Sequence, residues 1–310
     1  MNKIFLVIVL LLCVISYSRA QDSTAVSVVS EKDKPVKSSW ASSYLIDNQT
    51  SFIPFKNTLE FVIQHKFGTV SNGISDLFGL YAAGSNIRLG LNYVPLKNFQ
   101  IGWGVTKKNM YNDFGAKWTI LEQTRKNKVP VSVTLLGTLA VDGKSNTYFE
   151  SLNYSRSGSD HSSSRNYAFR PADRLSYFSQ LIVGRKFNDR LTLQAAASFT
   201  HYNLADSIGD HDKAGVHFGG RIKFSPQGSL IFCADIPLKI KALSEQTTWI
   251  DPPKPNLACG IEIATTAHVF QIYVGSADGI IPQDQIMFNQ RDWTRKGFGI
   301  GFVITRLWNF

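Results

Sequence analysis

The chain has 310 residues, a net charge of +10, 12% aromatic residues and 23 glycines. After its first twenty residues no stretch approaches the roughly 18–20 unbroken apolar residues of a membrane-spanning helix, which excludes a helical membrane protein. Its three cysteines, without a clustered histidine partner, argue against a zinc module.

Residues 1–20 read as a secretory signal peptide. Lys3 supplies the positive start, Ile4 to Ile15 an uncharged apolar run, and Ser18-Arg19-Ala20 small residues at the −3 and −1 cleavage positions. Cleavage would leave Gln21 as the first residue. Leu12 before Cys13 is too bulky for lipoprotein processing, so no lipid anchor is expected. The rest stays basic without Lys3 and Arg19. That balance points to anionic partners such as outer-membrane lipid and lipopolysaccharide headgroups or acidic solutes. Export argues against nucleic acid.

Residues 21–56 form an N-terminal periplasmic arm. Its first part is polar, with Lys32, Lys34, Pro35 and Lys37, and the stretch from Trp40 to Phe55 is apolar enough to act as a plug segment. From Asn57 a period of two takes over and predicts strands. Leu59, Phe61, Ile63, His65 and Phe67 alternate with Glu60, Val62, Gln64 and Lys66. Ile87, Leu89, Leu91 and Tyr93 alternate with Arg88, Gly90 and Asn92, and Phe99, Ile101, Trp103 and Val105 with Gln100, Gly102, Gly104 and Thr106. Phe114, Ala116, Trp118 and Ile120 form one face of a fourth strand. The alternation continues to 297–310, which gives about twelve strands.

The connections are mostly long and short in turn. Residues 68–84, 142–173, 203–212, 239–255 and 277–296 are long, whereas Pro95-Leu96-Lys97, Asn188-Asp189, Ser225-Pro226-Gln227-Gly228 and Thr265-Thr266-Ala267 are short. Outer-membrane barrels sort their links this way, with short turns toward the periplasm. The fold expected for residues 57–310 is therefore all-β: a transmembrane antiparallel up-and-down β-barrel. Phe67, Tyr93, Phe187, Tyr202, Phe224 and Trp308 fit interfacial aromatic girdles. In the last strand Phe298, Ile300, Phe302, Ile304, Trp308 and Phe310 share the lipid-facing parity. Arg306 falls on it as well, to be explained by snorkelling to the headgroups or by a local bulge. A terminal aromatic after such a strand is the feature that barrel-assembly machinery reads in its substrates. Cys233 and Cys259 fall on opposite faces, so no disulfide is expected.

The runs Leu45-Ile46-Asp47-Asn48-Gln49-Thr50, Thr58 to Phe61, His65 to Gly68, Leu77-Phe78-Gly79-Leu80 and Asn86 to Leu91 carry a family resemblance. Together with Lys117, Gln123 and Gly301 to Arg306, they resemble an uncharacterised Bacteroidota outer-membrane β-barrel family, a domain of unknown function. The resemblance implies fold and location and no established activity.

With the apolar parity toward lipid, the lumen is lined by Glu60, Lys66, Arg88, Asn92, Lys117, Lys186, His217, Arg221, Lys223, Asp235 and Glu262. In so narrow a barrel these charges pair across the interior, or they line a channel for small anionic solutes. A non-conducting structural or partner-docking barrel is the alternative, with an outer-membrane hydrolase behind it. No enzyme, metal or cofactor is expected: His65 and His201 fall on the lipid-facing parity, His161 beside Ser162 is mere adjacency, and His211 between Asp210 and Asp212 reads as solvated loop.

Overall fold

The structure is a computed structural model that describes residues 33–37, 39–150, 154–156, 169–206, 210–240 and 252–310. The expected signal peptide, the arm up to residue 32, His161 and Ser162 lie outside the described residues. The chain divides into Met1–Asp33 and Lys34–Phe310, and the fold below is that of the second unit.

Strict alternation of apolar and polar residues makes a ribbon with one face for lipid and one for a polar interior. The strands that follow it are β1 (Thr58–Thr69), β2 (Asn86–Leu96), β3 (Phe99–Thr106), β4 (Asn112–Leu121), β5 (Ser132–Val141) and β6 (Leu175–Lys186). They continue as β7 (Leu191–Tyr202), β8 (Asp212–Lys223), β9 (Gly228–Pro237), β10 (Asn256–Ala264), β11 (His268–Gly275) and β12 (Gly299–Asn309). Each pairs antiparallel with the next, and β12 closes on β1 through pairs from Gly299–Thr69 to Asn309–Thr58. The result is a closed, up-and-down, twelve-stranded barrel. Closure removes the edges that an open sheet would expose, which a membrane demands because lipid offers no hydrogen bonds.

The outer surface carries Leu89, Leu91, Trp103, Phe114, Trp118, Leu135, Leu181, Phe218, Leu230, Ile261 and Ile272, all exposed. Bulges interrupt the ladder between Tyr93 and Leu96, between Thr119 and Leu121, and between Gly299 and Gly301. None lies at Arg306, which pairs regularly with His268 and Phe61. Arg306 faces outward near the short-turn rim, where its Nη1 lies 2.8 Å from His268 Nε2 and its guanidinium 5.0 Å from the Trp308 ring. Phe310 follows β12 fully at the surface, its N–H donating to Asn57 O. Cys233 is buried and Cys259 exposed, both as free thiols.

One girdle residue is placed differently from expectation. Tyr202 faces inward and is buried, its ring packed edge-on against Phe288 at 5.0 Å. It shares the parity of Ser198 and Thr200, which sequence proximity to the strand end obscured.

The lipid-facing parity makes a depth-dependent prediction. Leu91→Arg, in the middle of β2, should cost about 2–4 kcal/mol, and Leu96→Arg at its end only about 0–1 kcal/mol. Urea titration of the barrel folded into phosphatidylcholine vesicles measures both.

Candidate functional site

The lumen is the functional candidate, and the chain fills it from both ends. Backbone bonds of Val36 N to Gln123 O and Arg125 N to Lys34 O fasten the N-terminal segment under the short-turn rim. Lys186 Nζ donates to Lys37 O at the same rim. The segment then enters the barrel as a hairpin of two short strands, Tyr44–Leu45 and Asn48–Gln49. Trp40, Tyr44, Leu45 and Ile46 bury against Val62, Ile231, Cys233, Ala258, Tyr273 and Val303, inward positions of five strands. Leu45 and Ile46 contribute about 1.5–3 kcal/mol each by this burial. Ile46 holds a left-handed backbone (φ 57°) that a β-branched residue adopts only under constraint. Its N–H donates to Gln271 Oε1 at 2.8 Å, which supplies that constraint.

Around the hairpin, the polar inward residues form three groups. In the first, Arg88 makes a bidentate pair with Asp113 (2.9 and 2.5 Å) and donates to Gln64 and to the Tyr44 hydroxyl. Glu60 accepts from Asn92 Nδ2, Gln100 Nε2 and the backbone N–H of Ser43. In the second, Arg221 pairs with Glu262 at 2.6 Å, and Gln271 bridges Glu262 to Tyr44 O. In the third, Asp235 accepts from His217 Nδ1, Asn48 Nδ2 and Asn256 Nδ2.

Two lysines take partners from the plug. Lys117 donates to Gln49 Oε1 and Phe52 O, both at 2.9 Å. Lys66 pairs with Asp47 at the hairpin tip (2.5 Å) and also donates to Ala277 O and Gly279 O. Those last two acceptors belong to the link between β11 and β12, which folds back into the other end of the barrel. Its helix Pro282–Phe288 buries Gln283, Asp284, Gln285, Ile286 and Met287. Lys108, in the link between β3 and β4, holds this loop through Asp278 (3.1 Å) and Asp284 (2.9 Å). Burial works against the Lys108 charge, but the two carboxylates outweigh it and raise its affinity for the proton. Asp278 is desolvated as well, yet Lys108 and Arg291 hold it below the ordinary carboxylate value. In Asp284 burial wins over Lys108, and the carboxyl titrates above that value.

Of the residues expected to line the lumen, Glu60, Lys66, Arg88, Asn92, Lys117, His217, Arg221, Asp235 and Glu262 are buried inside. Lys186 and Lys223 sit at the short-turn rim, only partly buried. Lys186 there also faces Asp189 at 3.1 Å. Alternation did not reveal Asp113, since it opens β4 before the apolar face begins, nor Asp47, which comes from the plug. With these two carboxylates the interior is far closer to neutral than the strand parity alone indicates. His211 is buried against Tyr202 O at 2.7 Å, so it is no solvated loop residue. No group of three metal-capable side chains occurs among the described residues.

A closed barrel with an apolar exterior, a charged interior and its own plug is the architecture of a membrane-bound barrel. The family described as "membrane bound beta barrel domain", DUF5777, matches residues 40–308, and the chain belongs to it. No curated protein matches the sequence. Among solved structures, a KdgM porin is similar at 8% identity and a TM-score of 0.43, over 82% of this chain and 99% of that one. A NanC porin is similar at 5% identity and 0.47, over 81% and 99%. An outer-membrane channel from Pseudomonas putida F1 is similar at 11% identity and 0.47, over 83% and 97%.

The Arg88–Asp113 pair tests the lumen's energetics. Arg88→Met leaves a buried carboxylate unpaired and should destabilise the barrel by about 3–5 kcal/mol, while Arg88→Met with Asp113→Leu should recover most of the loss. Equilibrium urea unfolding of the three proteins in detergent micelles checks this.

Proposed function

We propose that this protein is an outer-membrane barrel, closed at rest by its own N-terminal hairpin, that passes small anionic solutes when the hairpin is displaced. The observation that carries the reading is the unequal division of lumen partners. Arg88–Asp113, Arg221–Glu262 and His217–Asp235 pair strand to strand and survive removal of the plug. Lys117 loses both acceptors and Lys66 loses its carboxylate, because Asp47, Gln49 and Phe52 all belong to the N-terminal segment, while Lys66 keeps Ala277 O and Gly279 O. Withdrawing the plug therefore leaves two ammonium groups on the wall, and positive side chains along a pore select anions. Glu60 keeps its hydrogen bonds from Asn92 and Gln100 in the wall.

The same reading carries its setting. The chain is exported by a cleaved signal peptide to the outer membrane of a Gram-negative bacterium. Barrel-assembly machinery engages the C-terminal strand, and lipid with lipopolysaccharide surrounds the apolar belt. A second reading, a permanently closed structural barrel, is favoured by the strand-to-strand pairs, which need no motion to be satisfied.

Planar-bilayer recording separates the two readings. The wild-type chain should stay silent. Leu45→Glu with Ile46→Glu, which expels the hairpin by burying two uncompensated carboxylates, should open steps whose reversal potential in a KCl gradient shows anion selectivity. A variant that is folded but silent, or one that selects cations, contradicts the channel reading.

A further inference from the structure

Three adjacent strands place a serine, a histidine and an aspartate in one line inside the barrel. Ser198 of β7 lies with its Oγ 2.7 Å from His217 Nε2 on β8. His217 Nδ1 lies 2.8 Å from Asp235 Oδ1 on β9. The order of contacts matters. A carboxylate on Nδ1 fixes the proton there, so Nε2 is left as the acceptor for the serine hydroxyl, the arrangement in which an imidazole serves as base. Asp235 is itself held by Asn48 Nδ2 on the same Oδ1 and by Asn256 Nδ2 on Oδ2, so the orienting group is fixed on both oxygens.

Two further features bear on this line. The first is Gly215, which the register places opposite Ser198. A Cβ there would come within 2.9 Å of Ser198 Oγ and 3.4 Å of His217 Nε2, so the space beside the Ser–His contact is left open by the absence of a side chain. The Ile286 δ-methyl stands 3.0 Å from that same point. The second feature is on the helix that brings Ile286 in. Gln283 lies three positions earlier, on the same helix face. It is fully buried, yet neither its Nε2 nor its Oε1 has a hydrogen-bond partner among the described residues. Thr200 Oγ1, two residues along β7 from Ser198 on the same strand face, is likewise buried without a partner. Buried polar groups are nearly always paired, so the unpaired side chains of Gln283 and Thr200 require an explanation.

We infer that Ser198, His217 and Asp235 form an acyl-transfer site for a carboxylic ester with an apolar acyl group, covered at rest by the loop helix Pro282–Phe288. The apolar acyl group takes the place of Ile286 when the helix lifts. Ser198 Oγ then bonds to the acyl carbon while its proton passes to His217 Nε2. The tetrahedral adduct collapses, the ester C–O bond breaks, and the leaving alcohol takes the proton from His217. A water, deprotonated by the same imidazole, then attacks the acyl carbon, releasing the acid and returning the proton to Ser198. Thr200 Oγ1 and, in a substrate-bound position of the loop, Gln283 Nε2 are donors for the oxyanion. Asp235 acts through His217 as a positioning residue. The sequence expectation of no enzyme rested on neighbours along the chain, whereas the β7–β8–β9 register brings these three together from 37 residues apart in sequence (Ser198 to Asp235).

The inference goes beyond conduction and fails separately from it, since labelling needs no ion flow. The test uses the full barrel in detergent, with folding followed by heat-modifiable gel migration. Lys108→Ala, which cuts the helix's ties at Asp284 and Asp278, loosens the cover without touching the three residues. A fluorophosphonate should then label Ser198, with the Oγ–P bond formed, fluoride lost and the hydroxyl proton passed through His217 to solvent. Peptide mapping places the adduct, and p-nitrophenyl butyrate hydrolysis should rise in parallel. Adding Ser198→Ala should abolish labelling, and adding His217→Asn should slow it by at least about 100-fold. In the Lys108→Ala protein, adding Asp235→Asn should lower the labelling rate and displace its pH profile. A folded Lys108→Ala barrel whose Ser198 stays unlabelled overturns the inference. So does labelling that is as fast with His217→Asn as without it.

Discussion

One ammonium group joins the three parts of this molecule. Lys66 projects inward from β1, pairs with Asp47 at the tip of the N-terminal hairpin, and donates to two carbonyls of the loop that enters from the opposite end. A buried ion pair is a poor source of net stability, because desolvation offsets most of the Coulomb gain. Its value here is positional. Hairpin and loop both end on Lys66, so each contributes part of the shell of acceptors that the other also uses. Displacing either part leaves a buried cation short of acceptors, which couples the two ends of the barrel through a single side chain.

The wall and the filling are held by different physics. The wall rests on closed ladders of backbone hydrogen bonds that lipid cannot replace and on an apolar belt. The filling rests on modest burial of Trp40, Tyr44, Leu45 and Ile46 and on polar contacts that water could substitute. The second set is the weaker one, and it is the part that can yield while the ladder stays intact. The same asymmetry lets the loop helix cover Ser198 and His217 without being part of the ladder that positions them.

Much of the wall could be read in the chain, because alternation has only two phases and lipid penalises the wrong one. The long and short links likewise follow from an up-and-down barrel whose turns gather at one rim and whose loops gather at the other. The interior was less legible. Asp113 precedes the apolar run of β4 and so carried no phase. Tyr202 sat where a girdle aromatic belongs, and only its parity with Ser198 and Thr200 turned it inward. The hairpin has no period at all, since its residues are chosen to fit a cavity made by five strands, and Ile46 adopts a backbone that no local rule assigns to isoleucine. The Ser198–His217–Asp235 line depends on inter-strand register, which turns and bulges set and composition does not reveal. A glycine opposite Ser198 was the one sequence signal available, and it gains meaning only once Gly215 is known to be its partner.

The central claim is that the lumen is sealed, and the two thiols of the barrel strands measure it directly. Cys233 faces the interior beside Leu45 and Ile46, while Cys259 faces outward. In proteoliposomes a bulky, charged maleimide should leave Cys233 unmodified over hours and react with it promptly after unfolding in urea. Modification of Cys233 in the folded barrel at the rate of a free thiol would show a water-filled lumen and contradict the account.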